Sequence, residues 1–482
     1  MKRKLIVVVL SVFLLVGVLA ACANDAPAPA QPEPAPAAPG ADAAPETDAV
    51  EEEPAAPVGE TTEIVIWSDF PGAVYEIFTA AGADFTAAFP QYTISVETFP
   101  GAERAERISL ANQAGTLPTM MFGASFVTID WAHQGMVVPI TEVVAPIAAQ
   151  LPQATLEATT FVGEHYFFPL FGNPFGLMYN ADIFREAGLD EFISADQLTV
   201  SSWTFEDFSG VILPALQELM AGEARYPLSF FAGNEQADPH SHNLLRMHGG
   251  QVLAGGRIVA HEDPNTVRAL DTLVDWVERG FTNADASTKL GPEAQSDFNN
   301  QMNAINFGEM MVFQSILAEV ERGDYDRFAD GEPFDFRMAT VPREGGQQTL
   351  AVTSLGGLLM NTDEAQIEGG KLFLTWLIDQ TDTHLKDLNL LGMPFHTPIL
   401  DIIVAQGHPL APLFDEISAL QSYVYDVTGG APGYVETRAL FFPALQARLA
   451  GGVTSQETFD NYAEAGNAII EMWTERSVAL NP

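Results

Sequence analysis

Cysteine is almost missing. Cys22 is the only one in 482 residues, so no disulfide can form within one chain and the fold must rest on its apolar core. Positive charge is also scarce, with 21 Lys and Arg against 64 Asp and Glu and a net charge of −43. Only 3 of the basic and 9 of the acidic residues lie in the first 60 positions, so the imbalance belongs to the rest of the chain. A surface of that sign cannot neutralise phosphates, which excludes a nucleic-acid binder. It favours solubility, repels anions and would suit a high-salt habitat. The apolar run Leu5–Leu19 is too short to stay in a bilayer as a spanning helix. Neither a Gly-x-Ser-x-Gly elbow nor a Ser-x-x-Lys followed by Lys-Thr-Gly occurs, and no internal repeat is visible.

What is present begins at the N-terminus. Lys2-Arg3-Lys4, the apolar run and Leu19-Ala20-Ala21-Cys22 have the layout of a secretory signal whose small residues end at the lone cysteine. Leu-Ala-Ala-Cys resembles the bacterial lipobox, in which the thiol is lipidated and the Cys becomes the new N-terminus. The alternative is a plain signal peptide with a chance Cys. From Ala23 to Glu60 the chain is Ala, Pro, Glu and Asp with almost no large apolar residue. Such a segment cannot bury enough to fold. It reads as a stalk reaching about 100 Å if extended, or as a plain spacer.

The 47% hydrophobic composition of the whole chain and its length allow a large core beyond residue 60, in two or three domains. Glu63–Trp67 reads as a buried strand and Tyr92–Thr98 as an alternating one, with a helical stripe of Ile77, Phe78, Ala81, Phe85 and Phe89 between them. Further helices are expected over 181–187, 205–220, 264–279, 364–378 and 456–473, giving an α/β class.

In order, several segments resemble the extracellular solute-binding proteins of ABC importers, the group that includes maltose-binding protein. Trp67-Ser68-Asp69 looks like the end of that family's opening strand. Pro169 to Tyr179-Asn180-Ala-Asp-Ile-Phe184-Arg-Glu-Ala-Gly188 resembles its inter-lobe strand and "Tyr-Asn-x-x-x-Phe-x-x-x-Gly" helix. Trp203-Thr-Phe-Glu-Asp-Phe208, Phe307-Gly308-Glu-Met310, Glu364–Trp376 and Val453-Thr-Ser-Gln-Glu457 match later landmarks. One departure is Leu117-Pro118-Thr119, where the family usually carries Pro-Asp.

The resemblance implies a two-lobe periplasmic-binding-protein fold of type II, with ligand in the cleft. It divides the chain into a signal (1–21), Cys22 and stalk (22–60), a first lobe (61–172 and 343–393) and a second (173–342 and 394–482). Ligands of open α/β sheets sit at the carboxyl ends of strands. The expected ligand-binding residues are therefore Trp67 and Asp69, then Ser125, Phe126, Asp130 and Trp131 after the Pro118 strand. Phe171 and Asn173 are expected to face the cleft from the crossing segment, and Gln314 and Ser315 to follow a Met310–Val312 strand. Gly356, Gly357 and Tyr434 complete the set, Tyr434 in a loop dense in Tyr and Gly from Tyr423 to Arg438. Trp67 and Trp131 could equally be core, Asp69 a helix cap, and Gly356-Gly357 a strand bulge. Leu317 stands where maltose-binding protein places a stacking Trp, which weakens an oligosaccharide reading.

Asp238-Pro-His240-Ser-His242 with His248 was weighed as a metal site on an extended segment, but no supporting His-Glu-x-x-His motif accompanies it. No cofactor is expected. The reading is a non-catalytic, lipid-anchored, monomeric receptor outside the cytoplasm. It captures a small solute, a carbohydrate for preference, by lobe closure and delivers it to ABC permease subunits. The rivals are a secreted lipoprotein enzyme such as a glycoside hydrolase, and a ligand sensor on the same fold.

Overall fold

In the computed structural model the described residues are 61–480, apart from 71, 235–236, 347, 420–423, 427 and 429. The signal, Cys22 and the stalk lie outside them. β1 (Thr62–Ser68) forms from a β-branched run whose inward face carries Ile64 and Ile66, both fully buried. It pairs in parallel with β2 (Tyr92–Thr98) and β3 (Met120–Ala124). β4 (Phe168–Asn180) is buried along its whole length and is largely apolar, broken by Asn173 and closed by Asn180. β5 (Tyr226–Leu228), β6 (Asn303–Glu309), β7 (Phe336–Ala339), β8 (Gln348–Leu359), β9 (Met393–Pro394) and β10 (Val424–Asp426) complete the sheet with the short pair Val341–Pro342. The spatial order is β2-β1-β3-β8-β4-β6-β5, with β7 and β9 on β4 and β10 on β8.

Two long antiparallel strands connect the halves of this sheet. The first part of β4 and the last part of β8 pair with each other, and β8 continues onto β3; the last part of β4 pairs with β6 and β7. The chain crosses where Gly172 faces Ser354 and Asn173 faces Thr353. Alternate residues of β4 feed opposite cores, Leu177 and Tyr179 one and Met178 the other. The second of these cores runs without a break from Ile64 and Phe122 through Phe171 to Met310 and Met338.

Helices cover both faces. α1 (Ala73–Ala88) turns Val74, Phe78, Ala81 and Phe85 inward, so the sequence stripe is realised with Ile77 and Phe89 at its edge. α2 (Arg104–Ala114) and α3 (Thr128–His133) follow β2 and β3. α4 (Ala181–Glu186) starts on the Asn180 side chain, which accepts the N–H groups of Asp182 and Ile183 at 2.9 and 3.2 Å. Such a cap stabilises a helix by about 1 kcal/mol. α5 (Asp238–Leu245), α6 (Pro264–Glu278), α7 (Met310–Arg322), α8 (Glu364–Asp379), α9 (Thr397–Ala405), α10 (Ala411–Ala419), α11 (Tyr434–Leu449) and α12 (Ser455–Leu480) follow. The expected helix over 205–220 is present, with its middle turn, Phe208–Ile212, widened to a π-helix.

Three expectations are corrected. The strand at 303–309 ends before Met310, and Met310, Phe313 and Ile316 are buried at helical spacing, so 310–312 begin α7. Apolar residues on both sides of Gly308-Glu309 hide the strand-to-helix boundary. The histidine segment is a buried helix, α5, and not extended. Of the loop expected over 423–438, Val424–Asp426 pairs with β8 and Tyr434 opens α11, while Tyr423 and Gly429 lie outside the described residues. Among the described residues no helix is long and apolar enough to cross a membrane.

Candidate functional site

The carboxyl end of β1 turns sharply because the Ser68 hydroxyl accepts the Phe70 N–H at 3.0 Å. That turn sets Asp69 beside Gly123 of β3, where a Cβ would stand 3.2 Å from its Oδ1. Arg104, at the start of α2, donates to Asp69 Oδ2. Oδ1 has no hydrogen-bond partner, although the Asp69 side chain is only 2% exposed. Burial raises the Asp69 pKa and the Arg104 charge opposes that rise. Just after β3, the Ser125 hydroxyl is also buried without a partner. Buried polar groups are normally paired, and an orphan costs about 1–3 kcal/mol.

The other half contributes a second Arg–Asp pair. Arg438 on α11 grips Asp238 of α5 with both ends of its fork, at 2.7 and 3.0 Å, and the Tyr434 hydroxyl donates to the same carboxylate. Burial raises the Asp238 pKa against the pull of Arg438. Half-buried Phe126 lies where the two halves meet. The Arg104 guanidinium sits 4.9 Å from its ring centroid, Arg438 4.8 Å, and Tyr434 approaches edge-on at 6.3 Å.

A third contact joins the halves through the backbone. Asp130 of α3 accepts the Gly433 N–H at 2.6 Å and the Val435 N–H at 3.1 Å, so it caps α11 from across the cleft. Gly433 is needed there. Its φ is +73°, and a Cβ would fall 2.4 Å from the Trp473 ring. Burial pushes the Asp130 carboxyl up to about 6, while the two N–H groups pull the other way. The slot lined by Ser125, Phe126, Ile129, Ala158, Thr428 and Ala431 encloses about 220 Å³ and admits no water-sized sphere. The Asp130 hydrogen bonds and the two guanidinium groups over Phe126 hold the halves against each other. A wider surface hollow of about 570 Å³, lined by residues such as Asp271, Arg448 and Glu457, includes none of these groups.

At the base of the crossing, Asn173 donates to Glu309 at 3.2 Å and accepts the Met311 N–H at 3.1 Å. His240 is boxed by Phe175, Phe231 and Phe307 at 4.5–5.3 Å between centroids. Burial drives its pKa down to about 3, so the ring is neutral.

Asp69, Ser125, Phe126, Asp130 and Tyr434 thus converge on one cleft, and Asn173 stands at its crossing. The other expected residues are placed elsewhere. Trp67 packs edge-on against Phe99 and Trp131 sits in the same small core. Phe171 is fully buried against Phe122 and does not face the cleft, because the irregular pairing of β4 turns it into the main core. Gln314 and Ser315 lie on the second turn of α7; Gln314 reaches the Gly392 carbonyl and Ser315 bonds Glu319. Leu317, on the same helix, packs against the main core. Gly356 and Gly357 are mid-strand at a register shift, and a Cβ on Gly356 would come 2.0 Å from the Phe168 carbonyl. Close strand packing requires that glycine.

Arg104, Glu309 and Arg438 are not expected site residues from sequence, and Asp238 enters there only with the histidine segment weighed for metal. In a chain with 21 basic residues, an Arg four positions after Tyr434 was the available signal. Among the described residues no three His, Cys, Asp or Glu side chains gather as a metal site. His242 packs on Phe441, and His248 on Phe205 beside Glu344, so the three histidines have separate surroundings.

A two-lobe α/β fold with converging polar residues at strand ends defines a binding protein that closes around its ligand. The chain belongs to the bacterial extracellular solute-binding protein family, whose sequence profile matches residues 68–382. Its members bind solutes outside the cytoplasm. The fold is similar to that of the cyclic alpha-maltosyl-1,6-maltose binding protein from Arthrobacter globiformis, at 18% identity and TM-score 0.66 over 85% of this chain and 99% of that one. Maltose-bound MalE3 of T. maritima is similar at 17% identity and TM-score 0.66, over 85% and 100%. The acarbose-binding GacH receptor of Streptomyces glaucescens is similar at 15% identity and TM-score 0.67, over 85% and 99%. No curated protein matches the sequence.

Proposed function

We propose that the chain captures a small carbohydrate in the cleft around Phe126 and delivers it to an ABC importer, held at the membrane by a lipid on Cys22. The observation that carries this reading is the pair of buried, unpartnered acceptors Asp69 Oδ1 and Ser125 Oγ, the first joined to the Phe126 ring through Arg104 and the second lining the same slot as that ring. A pyranose offers the complement, hydroxyl groups that donate to a carboxylate and an apolar face that stacks on a ring. The Arg–Asp pairs on either side neutralise each other and leave directional hydrogen bonds without a strong anion site. The sugar ligands of the structurally similar proteins support the same class.

Opening the slot and closing it again on a solute would let a permease sense loading by lobe spacing. A lipidated Cys22 and the Pro/Ala-rich stalk would tether the receptor near that permease. The proposed division of labour keeps Asp69, Ser125 and Phe126 on one lobe and Tyr434 and Arg438 on the other, with Asn173 at the hinge. A thermal-shift screen of the purified protein against sugars, polyamines, peptides and divalent metals tests this. A ligand bound only by the native state raises Tm by mass action. A rise confined to sugars supports the reading. A sugar polymer cleaved during incubation, with no rise for any solute, would replace it with the hydrolase.

A further inference from the structure

The carboxylates of the cleft are not equivalent. Asp69 is matched by Arg104, Asp238 by Arg438, and Asp130 by two backbone N–H groups at a helix N-terminus. Glu309 has no such partner. Among the described residues it accepts one hydrogen bond, from Asn173, and its one ionic neighbour is His240 at 3.9 Å, which burial keeps neutral. Nor does Glu309 serve its own helix. It occupies the position just before α7, yet its side chain caps nothing there, and the Met311 N–H is taken by Asn173 instead.

The setting of Glu309 suits a cation. Its side chain is 38% exposed and so reachable from solvent, while desolvation of the carboxyl raises its pKa. Directly across the sheet is Phe175, whose ring contacts His240. Phe307, two residues back on β6, shares its face with Glu309 and also packs on that histidine. A carboxylate beside aromatic rings suits an ammonium, which gains an ion pair and ring-quadrupole attraction together. His240 Nδ1 is a second pointer to an absent partner, since it is unpaired in a side chain only 3% exposed. The long-range field agrees, because a chain of net charge −43 concentrates cations at its clefts.

We propose that the solute carries a positively charged amino group, and that Glu309, positioned by Asn173, receives it. The inference rests on the carbohydrate reading above and narrows it to an amino sugar. The ammonium would take the free oxygen of Glu309, while the ring hydroxyls reach Asp69 and Ser125.

The test is calorimetric titration of the purified protein with three matched pairs: glucosamine and glucose, the glucosamine disaccharide and cellobiose, and putrescine and 1,4-butanediol. N-acetylglucosamine serves as the neutralised amine. The proposal expects the amino member to bind at least about tenfold more tightly than its neutral partner. Glu309→Gln should erase that preference and leave the neutral member unchanged, and Glu309→Asp should retain part of it. Unliganded melting of each variant shows that the fold is intact. Equal binding of amino and neutral sugars, or an equal loss of both in Glu309→Gln, overturns the proposal and leaves the carbohydrate reading standing. Binding of putrescine without any sugar, abolished by Glu309→Gln, removes the carbohydrate reading and keeps the cation site. Binding of none of these overturns both.

Discussion

Replacing Asp130 by Ala should open the protein. Both carboxylate oxygens of this α3 residue accept N–H groups at the start of α11, at 2.6 and 3.1 Å, and the residue is 4% exposed. In the closed form the Ala variant leaves the Gly433 and Val435 N–H groups without a partner. In the open form water serves them. The loss therefore falls on closure more than on folding. A lost cap and unpaired buried donors together cost about 2 kcal/mol, which is about 30-fold in a closure-coupled affinity. The assay is calorimetric titration with a sugar identified by the thermal screen, beside small-angle scattering of the unliganded protein. The expected result is a weaker Kd, a larger radius of gyration without ligand and an unchanged radius at saturation. An unchanged Kd and radius in Asp130→Ala would refute the idea that this contact holds the lobes together.

Asp130 also predicts a pH dependence. Its carboxyl is raised to about 6 in the closed form, against 3.8 for an exposed aspartate, so the closed form binds the proton more tightly. Closure and affinity should thus rise as pH falls from 7 to 5, by about tenfold, and decline again as pH rises through 6; Asp130→Asn should flatten the profile measured by titration at each pH. Phe126→Ala removes the ring under Arg104 and Arg438 and should weaken sugar binding at least about tenfold, with little change in unliganded Tm because the ring is only half-buried. Gly433→Ala forces a side chain into positive φ against Trp473 and should lower unfolding stability by about 1–3 kcal/mol in denaturant titration. Asn180→Ala removes the cap of α4 and should cost about 1–2 kcal/mol in the same measurement, without altering sugar affinity.

The elements with strong periodicity were legible in the chain. β2 is legible to the residue, α1 by its apolar stripe, and the tyrosine-asparagine junction as a strand running into a helix. Where a strand passes directly into a helix with apolar residues on both sides, as around Glu309-Met310, periodicity does not locate the change. That displaced Gln314 and Ser315 from strand end to helix surface. The site was legible only in part, because its logic is pairwise. Asp69 and Ser125 follow strands and could be picked by position. Arg104 and Arg438 acquire meaning only when α2 and α11 bring them over one ring, 4.9 and 4.8 Å from Phe126. Phe171 was misplaced because irregular pairing of β4 shifts which face a side chain takes, and no residue type announces that irregularity.

In the proposed complex the solute is held around Phe126 between the lobes. Calorimetric titration of the wild type and Phe126→Ala with the sugar giving the largest rise in Tm tests it most directly. The account predicts saturable one-to-one binding in the wild type and a loss of at least about tenfold in the variant at equal unliganded stability. Equal affinity in the two proteins would contradict it and place the solute elsewhere on the molecule.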